Sequence, residues 1–152
     1  MHPAYSVILF TTSSGAGLGL LVWLGFANAL GLLPASPAFG LLAVGLALAL
    51  LSVGLLSSTF HLGRPERAWR AFSQWRSSWL SREGVAASAT YLPALVFALG
   101  WYSSGDTGGI VTIAGIVMAV LALVTLYTTG MIYASLPTIR QWNQPLTAPN
   151  YI

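Results

Sequence analysis

Two ionisable residues, His61 and Glu83, flank a polar segment in a chain that is otherwise almost free of charge. No Asp, Glu, Lys or Arg precedes position 64, whereas five of the six arginines and two of the three acidic residues lie within 61–84. An imidazole and a carboxylate at a membrane boundary suit the oxidation of a quinol. That reaction releases two protons with two electrons, and it needs a hydrogen-bond partner for the ring oxygen and a proton acceptor.

Spacing alone leaves simpler roles open for both residues. His61 can hydrogen-bond a carbonyl group at a helix end, and Glu83 can complement a helix dipole while it pairs with Arg82 or Arg64. Haem is not expected, because two axial ligands must face each other within a bundle. The other histidine, His2, lies in the N-terminal tail.

The composition places these residues in a membrane protein. Of the 152 residues, 6% are charged and 56% are hydrophobic, whereas a soluble domain carries about 25% charged residues. The absence of cysteine excludes disulfides, thiolate metal sites and iron–sulfur clusters held by this chain. A net charge of +3 is a topology signal here, so the expected partner is membrane lipid and not nucleic acid.

Four segments are long and apolar enough to cross a bilayer as helices, which takes roughly 20 residues. They are predicted at about 5–33, 39–60, 81–102 and 109–136. Pro34 and Pro37 separate the first two segments, and Pro137 ends the fourth. The short loops after the first and third segments make neighbouring helices antiparallel. The predicted fold is therefore all-α, with 1–152 forming one transmembrane four-helix bundle.

Between the second and third segments, a short interfacial helix is predicted near 65–73. Pro65 suits a first helical position, and Glu66 suits the first turn. Trp69 and Phe72 would share one face of this helix. Ser81 is the predicted N-cap of the third membrane-spanning helix.

Small and hydroxylated residues inside the helices predict how the helices pack. Gly15 and Gly19 are four residues apart in the first helix, which favours the close approach of a neighbouring helix. A groove that admits a ligand tail is the alternative. Thr125, Thr128 and Thr129 are expected to form hydrogen bonds within the fourth helix or between helices.

Three stretches of the sequence resemble the membrane-anchor subunits of the dimethyl sulfoxide reductase family. The first has MHPAYSV, FTT and GAG within 1–17, the second has HLGRP, AWR and SWLSRE within 61–83, and the third has MIYASL and RQW within 131–142. The resemblance covers essentially the whole chain. Family anchors usually have about eight helices, so either 1–152 corresponds to the N-terminal half of a longer anchor, or the anchor is split or shortened.

The resemblance implies a haem-free anchor that binds a membrane quinone, either menaquinone or ubiquinone, and serves anaerobic respiration. It also implies two partners, an iron–sulfur electron-transfer subunit and a molybdopterin catalytic subunit, which hold those cofactors themselves. The anchor would provide the quinone site and no catalytic residue for the terminal substrate. The histidine and glutamate of the family signature carry over to His61 and Glu83, and we place Arg64 and Arg82 with them at the predicted quinone site.

The rest of the polar segment is assigned to docking the iron–sulfur subunit. The predicted docking residues are Arg67, Trp69, Arg70 and Arg76.

The expected location is the bacterial inner membrane, with several crossings. Both termini and the 61–82 loop fall on the side that holds all six arginines, and the positive-inside rule favours the cytoplasm for that side. Dimethyl sulfoxide reductases place the quinol site on the periplasmic side, whereas sulfite dehydrogenases of this class have catalytic subunits that face the cytoplasm.

Two functions of other classes remain open on the sequence. Half of a secondary transporter is disfavoured, because no ionisable residue lies near the middle of a predicted span. A small tetraspan assembly protein would use the arginine-rich loop as a docking surface only.

Overall fold

A computed structural model describes 3–34, 36–59, 65–105 and 107–152 of the chain. Within these ranges all regular structure is helical. The helices are α1 (Pro3–Ala29), α2 (Pro37–Thr59), a 3₁₀ helix (Pro65–Phe72), α3 (Trp79–Ser104), α4 (Gly109–Ala134) and α5 (Thr147–Tyr151).

The four long helices confirm the four predicted membrane spans. They contain 23 to 27 residues each. At a rise of about 1.5 Å per residue they are longer than the roughly 30 Å hydrocarbon core. Each is apolar enough to cross a membrane. The helix α5 was not predicted from the sequence.

Helix α1 ends earlier than predicted, at Ala29 instead of near position 33. The cause is Gly31, which adopts a positive φ of 67°. Its N–H donates to the carbonyl of Asn28 at 2.9 Å, and the N–H of Leu32 donates to the carbonyl of Ala27 at 2.9 Å. These two bonds form a Schellman motif, which satisfies the last carbonyls of the helix and turns the chain.

The prediction that Ser81 caps α3 is wrong, because the N-cap is Ser78. Ser78 has an extended backbone, and its hydroxyl oxygen accepts a hydrogen bond from the N–H of Ser81 at 3.4 Å. Ser81 therefore lies in the first turn, where it is buried. The earlier start adds most of a turn before Glu83, so this residue lies in the second turn of α3 instead of the first.

The short helix between α2 and α3 confirms the predicted element, although its turns are 3₁₀ instead of α. In a 3₁₀ helix, residues three apart lie on one face. Trp69 and Phe72 have this spacing, and they are 65% and 52% exposed. This element therefore presents an aromatic face.

The long helices pack in the cyclic order α1, α2, α3, α4, and α4 also contacts α1. Their inner faces form one continuous core. Its largest fully buried side chains include Leu21, Leu51, Phe97, Trp101 and Met118.

Helix α1 meets both of its neighbours at glycines. A Cβ atom added at Gly17 would lie 2.5 Å from the carbonyl oxygen of Ala47 and 2.8 Å from the backbone nitrogen of Leu51, both on α2. About two turns further along α1, Gly25 packs directly against the carbonyl of Gly115 on α4. Because lipid drives helices together only weakly, such close backbone contact is a main source of association.

We expect Gly17→Ala to destabilise the bundle by about 1–3 kcal/mol, because the added methyl group would overlap the backbone of α2. Gly15→Ala is the matched control, since a Cβ atom there meets nothing within 4 Å. The measurement is the free energy of unfolding in detergent, followed by circular dichroism. Equal stability of the two variants would contradict the close contact.

Candidate functional site

Glu83, in the second turn of α3, is a carboxylate that is buried inside the bundle. This side chain is only 4% exposed. The hydroxyl group of Thr129 on α4 donates a hydrogen bond to Glu83 Oε1 at 2.6 Å. The structure thus joins two residues that are 46 positions apart in the sequence.

The face of α3 explains why Glu83 is buried. Ala86, Ala87 and Thr90 follow it at three, four and seven positions, and all three are buried. This spacing places the four side chains on one side of the helix. The carboxylate consequently points into the bundle near the arginine-rich end, where a buried charge or carboxyl group needs a hydrogen-bonded partner.

The predicted hydrogen bonds of the fourth helix are confirmed. Thr125 donates to the carbonyl of Leu121 at 2.8 Å, and Thr128 donates to that of Thr125 at 2.9 Å. Thr129 has two acceptors for its single proton, Glu83 and the carbonyl of Thr125, the latter at 2.9 Å. Of these three threonines, Thr129 is the one that links α4 to the carboxylate.

Arg82 holds the loop before α3 instead of pairing with its neighbour Glu83. Its Nε donates to the carbonyl of Trp75 at 2.9 Å, and its Nη2 donates to that of Arg76 at 2.8 Å. Its guanidinium also lies 4.2 Å from the ring centroid of Trp79. An ion pair between Glu83 and Arg82, open on the sequence, is not the arrangement found. Contact of Arg82 with a quinone stays a prediction.

A short C-terminal helix covers α4 beside Thr129. A Cβ atom added at Gly130 would lie 3.0 Å from the Cα atom of Ala148 and 3.1 Å from the Cβ atom of Tyr151. Ala148 is 3% exposed. Gly130 therefore allows α5 to lie directly on α4, one position after the residue that holds the carboxylate.

Three aromatic residues complete this cover. The ring of Tyr133 stacks on Tyr151 with centroids 5.9 Å apart and meets Trp142 edge-on at 5.1 Å. Burial raises the pKa of the Tyr151 hydroxyl, and the nearby Tyr133 and Glu83 raise it further. Tyr151 is thus a neutral hydroxyl within electrostatic range of the buried carboxylate. Sequence reasoning missed this residue, because α5 is too short to show a periodic pattern.

The four predicted docking residues lie together on the exposed loop. Arg67, Trp69, Arg70 and Arg76 are all exposed. The guanidinium of Arg70 lies 5.7 Å from the ring centroid of Trp69, and that of Arg76 lies 5.6 Å from that of Trp75. Arginine and tryptophan are enriched at protein–protein contacts.

The other two predicted quinone-site residues, His61 and Arg64, lie outside the described residues, and so does His2. The proximity of His61 to Glu83 therefore stays a prediction. Helix α2 ends at Thr59, on the end of the bundle at which α3 begins. Among the residues that the structure describes, no three His, Asp or Glu side chains form a metal-binding group.

The structure contains a groove where the sequence favoured close helix packing. A Cβ atom added at Gly15 or Gly19 would meet nothing within 4 Å, so the prediction of close approach at these glycines is wrong. Gly17, two residues away, faces α2, and residues two apart on a helix point in nearly opposite directions. The groove has a volume of about 320 Å³. It is lined by Thr11, Thr12, Gly15, Gly19, Leu126, Tyr151 and Ile152.

These features define a multi-pass membrane protein with a buried, hydrogen-bonded carboxylate near one end of its helical bundle. Over residues 1–152 the chain matches the family described as DMSO reductase anchor subunit (DmsC). The chain belongs to this family, as its sequence motifs indicated.

A sulfite dehydrogenase subunit from Allochromatium vinosum is 39% identical to the chain over 168 residues. The match covers 100% of this chain and 51% of that protein, so the chain spans about half the length of this relative. No solved structure matches the chain.

We expect Thr129→Val to lower the free energy of unfolding by about 1 kcal/mol, a usual value for a hydrogen bond between membrane helices. A double-mutant cycle with Glu83→Leu, which removes the acceptor, isolates the coupling between the two side chains. Thr128→Val serves as the control, since that hydroxyl donates within its own helix. Equal coupling of Glu83 to positions 128 and 129 would contradict the observed bond.

We also expect Arg82→Lys to loosen the loop before α3, because lysine cannot bind two carbonyls with one planar group. Amide hydrogen exchange of 73–78 should become faster, while that of α4 stays unchanged. Arg140→Lys is a control on an arginine of the C-terminal segment. Unchanged exchange in the Arg82 variant would show that its two hydrogen bonds do not hold the loop.

Proposed function

We propose that this chain provides the quinone site in the membrane anchor of a molybdopterin oxidoreductase complex. It would pass electrons between the membrane quinone pool and an iron–sulfur subunit. The observation that supports this most directly is the buried carboxylate of Glu83 at the arginine-rich end of the bundle. An ionisable group inside a membrane bundle is costly, and it usually marks a functional site.

The hydrogen bonding of Glu83 leaves part of its carboxylate available. Thr129 donates its hydrogen bond to Oε1, one of the two oxygens of the carboxylate. Thr129 thus fixes the orientation of the group, while the second oxygen can meet a substrate hydroxyl. A proton acceptor must come within hydrogen-bond reach of the proton that it removes.

In the proposed reaction, a quinol loses two protons and two electrons to become a quinone. Glu83 takes the proton from one ring hydroxyl, and His61, hydrogen-bonded to the other ring hydroxyl, takes the second proton. The electrons pass to the iron–sulfur subunit, and the protons leave on the arginine-rich side. Reduction of a quinone uses the same groups in reverse.

The arginine-rich loop is proposed to bind the iron–sulfur subunit. Its arginines lie beside exposed tryptophans, which suits a partner with an acidic surface. The absence of cysteine from this chain fits clusters that are held by the partner. We place the complex in the bacterial inner membrane, with this loop on the cytoplasmic side.

In the assembled complex, we expect Glu83→Gln to lower quinone-linked turnover by about 100-fold or more, the usual effect of losing a general base. Glutamine keeps the size of the side chain but cannot accept the proton. The measurement is turnover with a quinone, compared with turnover using a soluble dye that exchanges electrons with the partner subunits directly. The second activity should not change.

Glu66→Gln is the matched control, because Glu66 is an exposed carboxylate on the 3₁₀ helix. It should leave both activities intact. His61→Ala should lower quinone-linked turnover alone. Full quinone-linked turnover in both the Glu83 and His61 variants would rule out the proposed site.

A further inference from the structure

The groove beside α1 has the shape and the lining for an apolar chain. Thr11, Gly15 and Gly19 follow one another at four-residue spacing, so they form one strip about 12 Å long on the helix. Leu126 and Tyr151 belong to the opposite side. The strip occupies the middle part of α1, from the ninth to the seventeenth of its 27 residues.

The two threonines that line the groove donate their hydroxyl protons within their own helix. Thr11 donates to the carbonyl of Val7 at 3.1 Å, and Thr12 donates to that of Ile8 at 2.7 Å. Their hydroxyl protons are therefore used within α1, and the remaining lining includes Gly15, Gly19 and Leu126. Such a lining favours hydrocarbon over a polar ligand.

The groove and the proposed site share one turn of α4. Leu126, Thr129 and Gly130 lie at three- and four-residue spacing, which places them on one face of the helix. Leu126 lines the groove, Thr129 holds the carboxylate, and Gly130 supports α5. Tyr151 also lines the groove and lies within electrostatic range of Glu83.

The size of the groove suits part of a ligand. Its volume of about 320 Å³ is at the lower end of the roughly 300–1,000 Å³ of small-molecule pockets. A quinone has a polar ring and a long isoprenoid tail, so the two parts need neighbouring sites of different character.

We propose that this groove binds the first part of the isoprenoid tail of a quinone whose ring binds at Glu83. The inference rests on the proposed function, because it needs a quinone at that carboxylate. The tail would lie between α1 and the α4–α5 pair and continue into the lipid. Gly15 and Gly19 are then glycines because the tail occupies the space that larger side chains would fill.

The test uses the complete complex in membranes and two quinones, one with a long isoprenoid tail and one with the same ring and no tail. We expect Gly15→Leu and Gly19→Leu to raise the KM for the long-tailed quinone about tenfold, since leucine fills an apolar pocket. The KM for the tail-free quinone should stay the same. The helix itself should tolerate leucine, because a Cβ atom meets nothing within 4 Å at either position.

Gly45→Leu is the matched control. Gly45 lies within α2, where a Cβ atom also meets nothing within 4 Å, and it does not line the groove. Its KM for both quinones should equal that of the unmodified chain. An equal rise for both quinones in the Gly15 and Gly19 variants, or no rise for either, would overturn the proposal.

A labelling experiment on the unmodified complex avoids any effect on folding. A long-tailed quinone with a photoreactive group on its first isoprene unit should label residues 11–19 or Leu126, and excess unlabelled quinone should prevent this. Labelling of these residues by a photoreactive phospholipid that quinone does not displace would overturn the proposal. So would an absence of quinone labelling in the groove.

The two proposals fail in different ways. Loss of the Glu83 carboxylate should affect the long-tailed and the tail-free quinone equally, whereas a filled groove should affect only the first. Normal turnover of the tail-free quinone by Glu83→Gln would reject the ring site. The difference in KM between the two quinones, measured in the Gly15→Leu and Gly19→Leu variants, would still test the groove independently.

Discussion

The close approach of helix backbones at glycines is the constraint on which this bundle depends. Lipid offers no hydrogen-bond partners to the backbone, so the membrane-spanning segments must be helices, and helices in lipid associate through packing. Helix α1 meets α2 at Gly17 and α4 at Gly25, with no side chain between the backbones. These two contacts fix the position of α1. The face that carries Gly15 and Gly19 then remains open as a groove.

The N-cap of α3 sets how far along the helix the buried carboxylate lies. Because Ser78 begins the helix, Glu83 lies in the second turn, beyond the free N–H groups of the first. It is therefore not a residue that complements the helix dipole at an exposed end. Its partner comes from α4, where Thr129 donates the hydrogen bond. The carboxylate can be kept inside the bundle only because two helices are already held together.

Sequence reasoning predicted the features that depend on long apolar runs and prolines. The four spans and the segment between α2 and α3 were found in this way. The cap at Ser78 was missed, because two serines three residues apart are both good caps. The bond between Thr129 and Glu83 could not be read from the sequence, since neither residue indicates its partner across 46 positions. The membrane anchor family was recognised from motifs, whereas the role of His61 stays a prediction.

One turn of α4 connects the parts of the proposed site. Leu126, Thr129 and Gly130 contact the groove, the carboxylate and α5 in turn. A helix rises about 1.5 Å per residue, so these three contacts are held within about 6 Å along a rigid element. A ligand in the groove would therefore press on the same turn that orients Glu83. The same turn of α4 would thus set both the position of the tail and the direction of the carboxylate. No single motif in the sequence reveals this connection.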